Sequence, residues 1–68
     1  ADAALTAAGA QWDAMTPEAR DEMMAVEMGG YDANSRADIA QVSWSELPDV
    51  IGSDKMQKFA YVIKLWNR

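Results

Sequence analysis

The chain has no cysteine and no histidine among its 68 residues. The first absence removes disulfides and thiolate metal sites. The second removes the commonest transition-metal ligand and the side chain that titrates near neutral pH. Long apolar runs are missing as well: nothing approaches the roughly 20 residues that a helix needs to cross a bilayer. No basic segment followed by an apolar core opens the chain, so no signal peptide is expected. Strand patterning is weak throughout, without a clear alternation of apolar and polar side chains. These absences point to a cysteine-free cytoplasmic helical protein with no resident cofactor or metal.

What is present must therefore hold a very small fold together. A chain of this length buries only about 60% of its unfolded surface. Small scaffolds of this kind depend on a staple, a partner or dense packing by large side chains. Three Trp, two Tyr, one Phe and five Met supply those side chains. Charge is unevenly spread. Residues 1–54 carry all 11 acidic residues against only Arg20 and Arg36, a net charge of −9. Residues 55–68 carry Lys55, Lys58, Lys64 and Arg68 and no acid, a net charge of +4. Opposite signs in the two parts make electrostatics relevant to how they meet each other or a partner.

Local signals place the helices. Residues 1–10, ADAALTAAGA, are Ala-rich but interrupted by Gly9, and read as a frayed or flexible lead-in to a single domain over 11–68. Thr16-Pro17-Glu18 is a helix start: an N-cap, a proline at the first helical position and an acid in the first turn. That helix is expected over 17–28, stopped by Gly29-Gly30 with one glycine left-handed. Ser35 is placed to cap a short helix over 35–42. Ser43-x-x-Glu46 has capping-box spacing before a helical turn over 44–51, ended by Gly52. Asp54 and Gln57 repeat that spacing ahead of a helix over 55–67. Its Met56, Phe59, Ile63 and Trp66 form the clearest apolar stripe in the chain.

One phrase occurs twice. Trp12-x-x-Met15 precedes Pro17, and Trp44-x-x-Leu47 precedes Pro48. An indole and an apolar side chain three residues apart can plug one end of a small helical core, each aromatic supplying roughly 150–250 Å² of buried area. The expectation is an all-α fold, a compact bundle of three to four short helices. Its expected core is Trp12, Met15, Met23, Val26, Ile39, Trp44, Leu47, Val50, Ile51, Met56, Phe59, Ile63 and Trp66.

The series Trp12-x-x-Met15-Thr16-x-x-x-Arg20, then Gly29, then Trp44-x-x-Leu47-Pro48 resembles short helical modules of large multi-domain phage and conjugative-element proteins. Those polyvalent proteins string together antirestriction, methylase and helicase domains. The resemblance covers roughly residues 11–52. It departs at Met15, where Leu is usual, and in the basic aromatic C-terminal segment. It implies a non-catalytic accessory or interaction unit whose partner is another protein.

Other chemistry finds little support in the residues. Ser43 and Ser45 have no evident base, and Asp21, Glu22 and Glu27 read as a solvated helix face rather than an acid pair. GGYDANSRAD offers Asp32, Asn34 and Asp38 but no closing bidentate Glu for a calcium loop. Gly29-Gly30 lacks the Lys-Ser/Thr of a phosphate loop. Arg20 is placed to lay its stem over Trp12 or to pair with a carboxylate. The residues expected to meet a partner are Met24 and Met28, off the Met23 stripe, and Tyr61, Leu65, Lys58 and Lys64 on the C-terminal helix. The core reading of that helix has its lysines answering the acidic body. Two alternatives remain: an acidic mimic of DNA that occupies a DNA-binding protein, and a nucleic-acid-binding module using residues 55–68.

Overall fold

Three helices begin where a side-chain oxygen takes up a free backbone N–H. The computed structural model describes residues 2–66, and its helices are α1 (Ala3–Ala14), α2 (Pro17–Glu27), α3 (Ala33–Ala40), α4 (Leu47–Ile51) and α5 (Met56–Leu65). A 3-10 turn over Ser53–Lys55 leads into α5. Asp2 accepts from Ala4 N at 2.9 Å, Thr16 from Ala19 N at 3.1 Å and Asp32 from Ser35 N at 2.8 Å. The fold is all-α, with no strand among the described residues. α1 lies against α5, α2 against α3, and α4 touches both α3 and α5. The radius of gyration is 10.8 Å, matching the scaling value of about 11 Å for a well-packed chain of this length.

Several starts differ from expectation. Asp32, not Ser35, caps α3, so the helix begins two residues earlier. The Ser35 backbone N–H, followed by its hydroxyl, holds the Asp32 carboxyl below its ordinary value of 3.8. Ser43 Oγ does bond Glu46 Oε1 at 3.2 Å. That bond closes a turn, however, and α4 has no side-chain cap. α5 begins at Met56 without a capping bond from Asp54. Neither Gly29 nor Gly30 is left-handed; the positive φ among the described residues, 92°, belongs to Gly52.

The largest correction concerns the N-terminus. Residues 3–10, expected as a lead-in, are the first turns of α1, and Ala8 and Gly9 are buried. Gly9, which reads as an interruption, lies under the Trp44 indole. A Cβ there would sit 2.5 Å from Trp44 Cδ1 and 2.8 Å from Nε1. Glycine loses about 1 kcal/mol of helix propensity, and here that loss is offset by the close approach of a large ring.

Trp12, Met23, Ile39, Leu47, Ile51, Met56, Phe59, Ile63 and Trp66 are buried as expected. Met15 and Trp44 are only half-buried and pack against the core from outside. Val26 and Val50 are 56% and 50% exposed, contrary to expectation. α2 turns Arg20, Met23 and Met24 inward, a rotation of about one residue, or 100°, from the stripe through Ala19, Met23 and Val26. On α4, Leu47 and Ile51 face the core one turn apart, which leaves Val50 outside.

Candidate partner-binding face

Two regions contain the side chains that were singled out, and only one of them is available to a partner. The first is an internal knot. Arg20, buried on α2, donates from Nε to Trp12 O at 2.9 Å and from Nη1 to Ala40 O at 2.8 Å. Those carbonyls belong to the last turns of α1 and α3, where a cation is favoured; Trp12 O also accepts from Met15 N at 3.0 Å. Its guanidinium carbon also lies 4.9 Å from the Trp12 ring centroid. Trp12 Nε1 donates to Val42 O at 2.8 Å. The Trp12 ring meets Phe59 edge-on at 6.1 Å and Trp44 at 6.4 Å. On the other side of α1, Gln11 Nε2 donates to Ile63 O at 3.3 Å and Trp66 O at 3.2 Å, closing the end of α5. Among the described residues every buried side-chain nitrogen or oxygen has a partner. The repeated Trp phrase and Arg20 are therefore committed to the fold.

Met24 and Met28 belong to this interior too. Both are buried, which corrects their assignment as partner-facing residues. The rotation of α2 that carries Arg20 to its carbonyls also carries these methionines into the core.

The second region is the outer surface of α5. Tyr61 is 63% and Leu65 60% exposed, one helical turn apart and so on the same side. Lys58 and Lys64 are exposed as well. An open groove of about 730 Å³ runs between α1 and α5, lined by Ala4, Leu5, Gln57, Ala60, Tyr61 and Lys64 among others. Tyr61 and Lys64 thus share one wall. Lys58 lies beside a smaller recess of about 240 Å³ with Met28, Tyr31 and Phe59.

The α1 wall was missed by the sequence reading. α1 buries Ala8, Gly9 and Trp12 on one side, yet Ala3, Ala4, Ala7, Ala10 and Ala14 lie exposed. A helix that is apolar all round is normally covered all round. The absence of charge from Ala3 to Trp12 is the signal that would have found this wall.

The α5 lysines do not answer the acidic body. The ion pair among the described residues joins Arg36 Nε to Asp21 Oδ1 at 3.1 Å, linking α3 to α2. No described carboxylate lies within ion-pair distance of Lys55, Lys58 or Lys64. Among the described residues no three carboxylates gather as a metal would require, and no helix is long and apolar enough to cross a membrane. No protein-family model, curated protein or solved structure matches the chain.

Proposed function

We propose that this chain is a non-enzymatic interaction or accessory module that docks another protein in the cytoplasm, through the outer face of α5. The observation that carries this reading is the pair Tyr61 and Leu65, two large apolar side chains left mostly in water beside an open groove. A fold this short, with a thin core, gains little by leaving such area uncovered. A place within a phage or mobile-element protein is supported by the Trp12-to-Pro48 pattern. The experiment is a capture with the full chain as bait, from nuclease-treated lysate of the cells that make it. A Tyr61→Glu/Leu65→Glu chain serves as control. A protein retained by the wild-type chain at low and high salt, and lost by the double variant, is the expected result. Retention by both chains alike, or by neither, refutes the reading.

A further inference from the structure

Going beyond that docking role, we infer that the groove between α1 and α5 pairs with the same groove of a second copy of this chain, turned end for end about a two-fold axis. The direction of the walls comes first. Gln11 Nε2 reaches Ile63 O and Trp66 O, so the later part of α1 lies beside the end of α5. The lining runs from Asp2 to Gln11 on α1 and from Gln57 to Lys64 on α5. Both walls therefore run the same way; were they opposed, Asp2 would lie past the end of α5 instead of sharing a groove with Gln57. The groove thus has a head, at Asp2, and a tail, at Gln11 and Lys64, about 13 Å away along α1.

Charge then selects the occupant. The lining carries one residue of each sign, Asp2 at the head and Lys64 at the tail, and the two form no ion pair within the chain. Such a lining favours neither an acidic nor a basic partner. It favours a surface that carries the same two charges in reverse order, and the same groove turned end for end is that surface. In a two-fold interface every contact is made twice. An axis at the level of Ala7 and Tyr61, midway along the two walls, lays α1 on α1 and α5 on α5. Each Asp2 then arrives at the tail of the other copy, beside its Lys64. Shape agrees with charge. Ala7 at the axis lets the two α1 backbones approach closely. Tyr61, mostly exposed, meets its own counterpart across the axis as an aromatic anchor. Walls of about two to three helical turns bury little area, which places the pair among small, transient interfaces with a dissociation constant on the order of 0.1 mM. The chain is then monomeric in dilute solution and paired where it is concentrated. Tyr61 belongs to both surfaces, so the second copy covers it when no other partner is bound.

The test is sedimentation equilibrium of the full chain over a concentration series that brackets this value. The wild-type chain should pass from monomer to dimer and form nothing larger. Asp2→Lys sets lysine against lysine twice, and Lys64→Glu sets acid against acid twice, so each variant alone should dimerise at least about tenfold more weakly. Mixed in equal amounts, the two variants restore both opposite-charge contacts, and a mixed dimer should form about as well as the wild-type one. Tyr61→Ala should weaken pairing by about tenfold, as expected for an anchor residue. Thermal melts in dilute solution establish that every variant is folded, and the rescue by mixing is an effect that loss of the Asp2 helix cap cannot produce. A chain that stays monomeric throughout the series would overturn the inference. So would a dimer indifferent to Tyr61→Ala, or charge variants that fail to rescue each other. The docking face is judged separately: a monomeric chain that still captures another protein through Tyr61 and Leu65 removes only the dimer, and a dimer beside a capture indifferent to those residues removes only the docking reading.

Discussion

The Trp12–Arg20 knot and the outer face of α5 treat their polar and apolar groups in opposite ways. In the knot, each strong donor finds an acceptor: Arg20 reaches the ends of two helices and the Trp12 indole reaches Val42 O. The apolar surfaces there are covered by Phe59 and Trp44. On α5, Lys58 and Lys64 face no carboxylate among the described residues, and Tyr61 and Leu65 face water. Residues of the first kind are explained by the fold alone. Those of the second kind are not, and their explanation has to come from outside the chain. This difference divides the residues that hold the molecule together from those that remain for a partner.

The sharpest way to break the comparison is to remove Trp12. It is fully buried, so Trp12→Ala should cost about 3–5 kcal/mol. That is about the whole stability a single core supplies at this size. The expected outcome is a chain with no cooperative melting transition by circular dichroism. Trp44→Ala should cost less, about 2 kcal/mol for the smaller area it covers, although the repeated phrase treats the two tryptophans alike. Equal melting losses in the two variants would show that the half-buried position of Trp44 is misjudged. Next in size is Arg20→Met. It takes the side-chain donor from Ala40 O and leaves Trp12 O with only the Met15 N–H, at a cost of about 1–3 kcal/mol, to be read from the urea midpoint. Arg20→Lys should fall between, because an ammonium lacks the fork that spans both carbonyls.

How legible these features are in the sequence depends on the distance over which each is determined. The start of α2 follows from Thr16, Pro17 and Glu18, three neighbouring residues, and is where the pattern places it. α5 follows from its own stripe. By contrast α1 is secured from far away: by Gln11 on carbonyls 52 and 55 residues later, and by Trp44 over Gly9. An Ala-rich segment with a glycine looks like a linker until those partners are known. The facing of α2 is similarly non-local, since the apolar count through Ala19, Met23 and Val26 is outweighed by the two hydrogen bonds of Arg20. Of the candidate face, Tyr61 and Leu65 were legible because one stripe cannot cover them. The α1 wall left only an uncharged stretch as its signal, because the groove itself exists only once two helices some fifty residues apart are packed together.

Gly9 offers a smaller and more exacting test. Gly9→Ala gains about 1 kcal/mol of helix propensity but overpacks against Trp44 by about 1–3 kcal/mol. The net should be a loss of about 1 kcal/mol. In a Trp44→Ala background the ring is gone, and the same change should become stabilising. A double-mutant cycle measures this; the same sign in both backgrounds would mean that Gly9 is not there for the indole. Asp32 supplies a smaller effect still. Its folded carboxyl titrates below 3.8, so its cap adds stability above that pH and loses it as pH falls through the folded value. Asp32→Asn keeps an acceptor but cannot titrate, and its acid limb of stability against pH should be shallower than wild type. Parallel limbs would remove the cap from the account.

The smallest expected effect sharpens the comparison most. Tyr61 and Leu65 are mostly exposed, so Tyr61→Ser and Leu65→Ser should each move the urea midpoint by an amount equivalent to less than about 0.5 kcal/mol. Val50→Ser, on exposed α4 surface away from the groove, is the matched control and should also be neutral. The three variants then share one stability and differ only in binding: the α5 pair loses the partner and Val50→Ser keeps it. If instead Tyr61→Ser or Leu65→Ser destabilised the chain as a core substitution does, the outer face of α5 would be part of the structural knot. The division between the two regions would then fail.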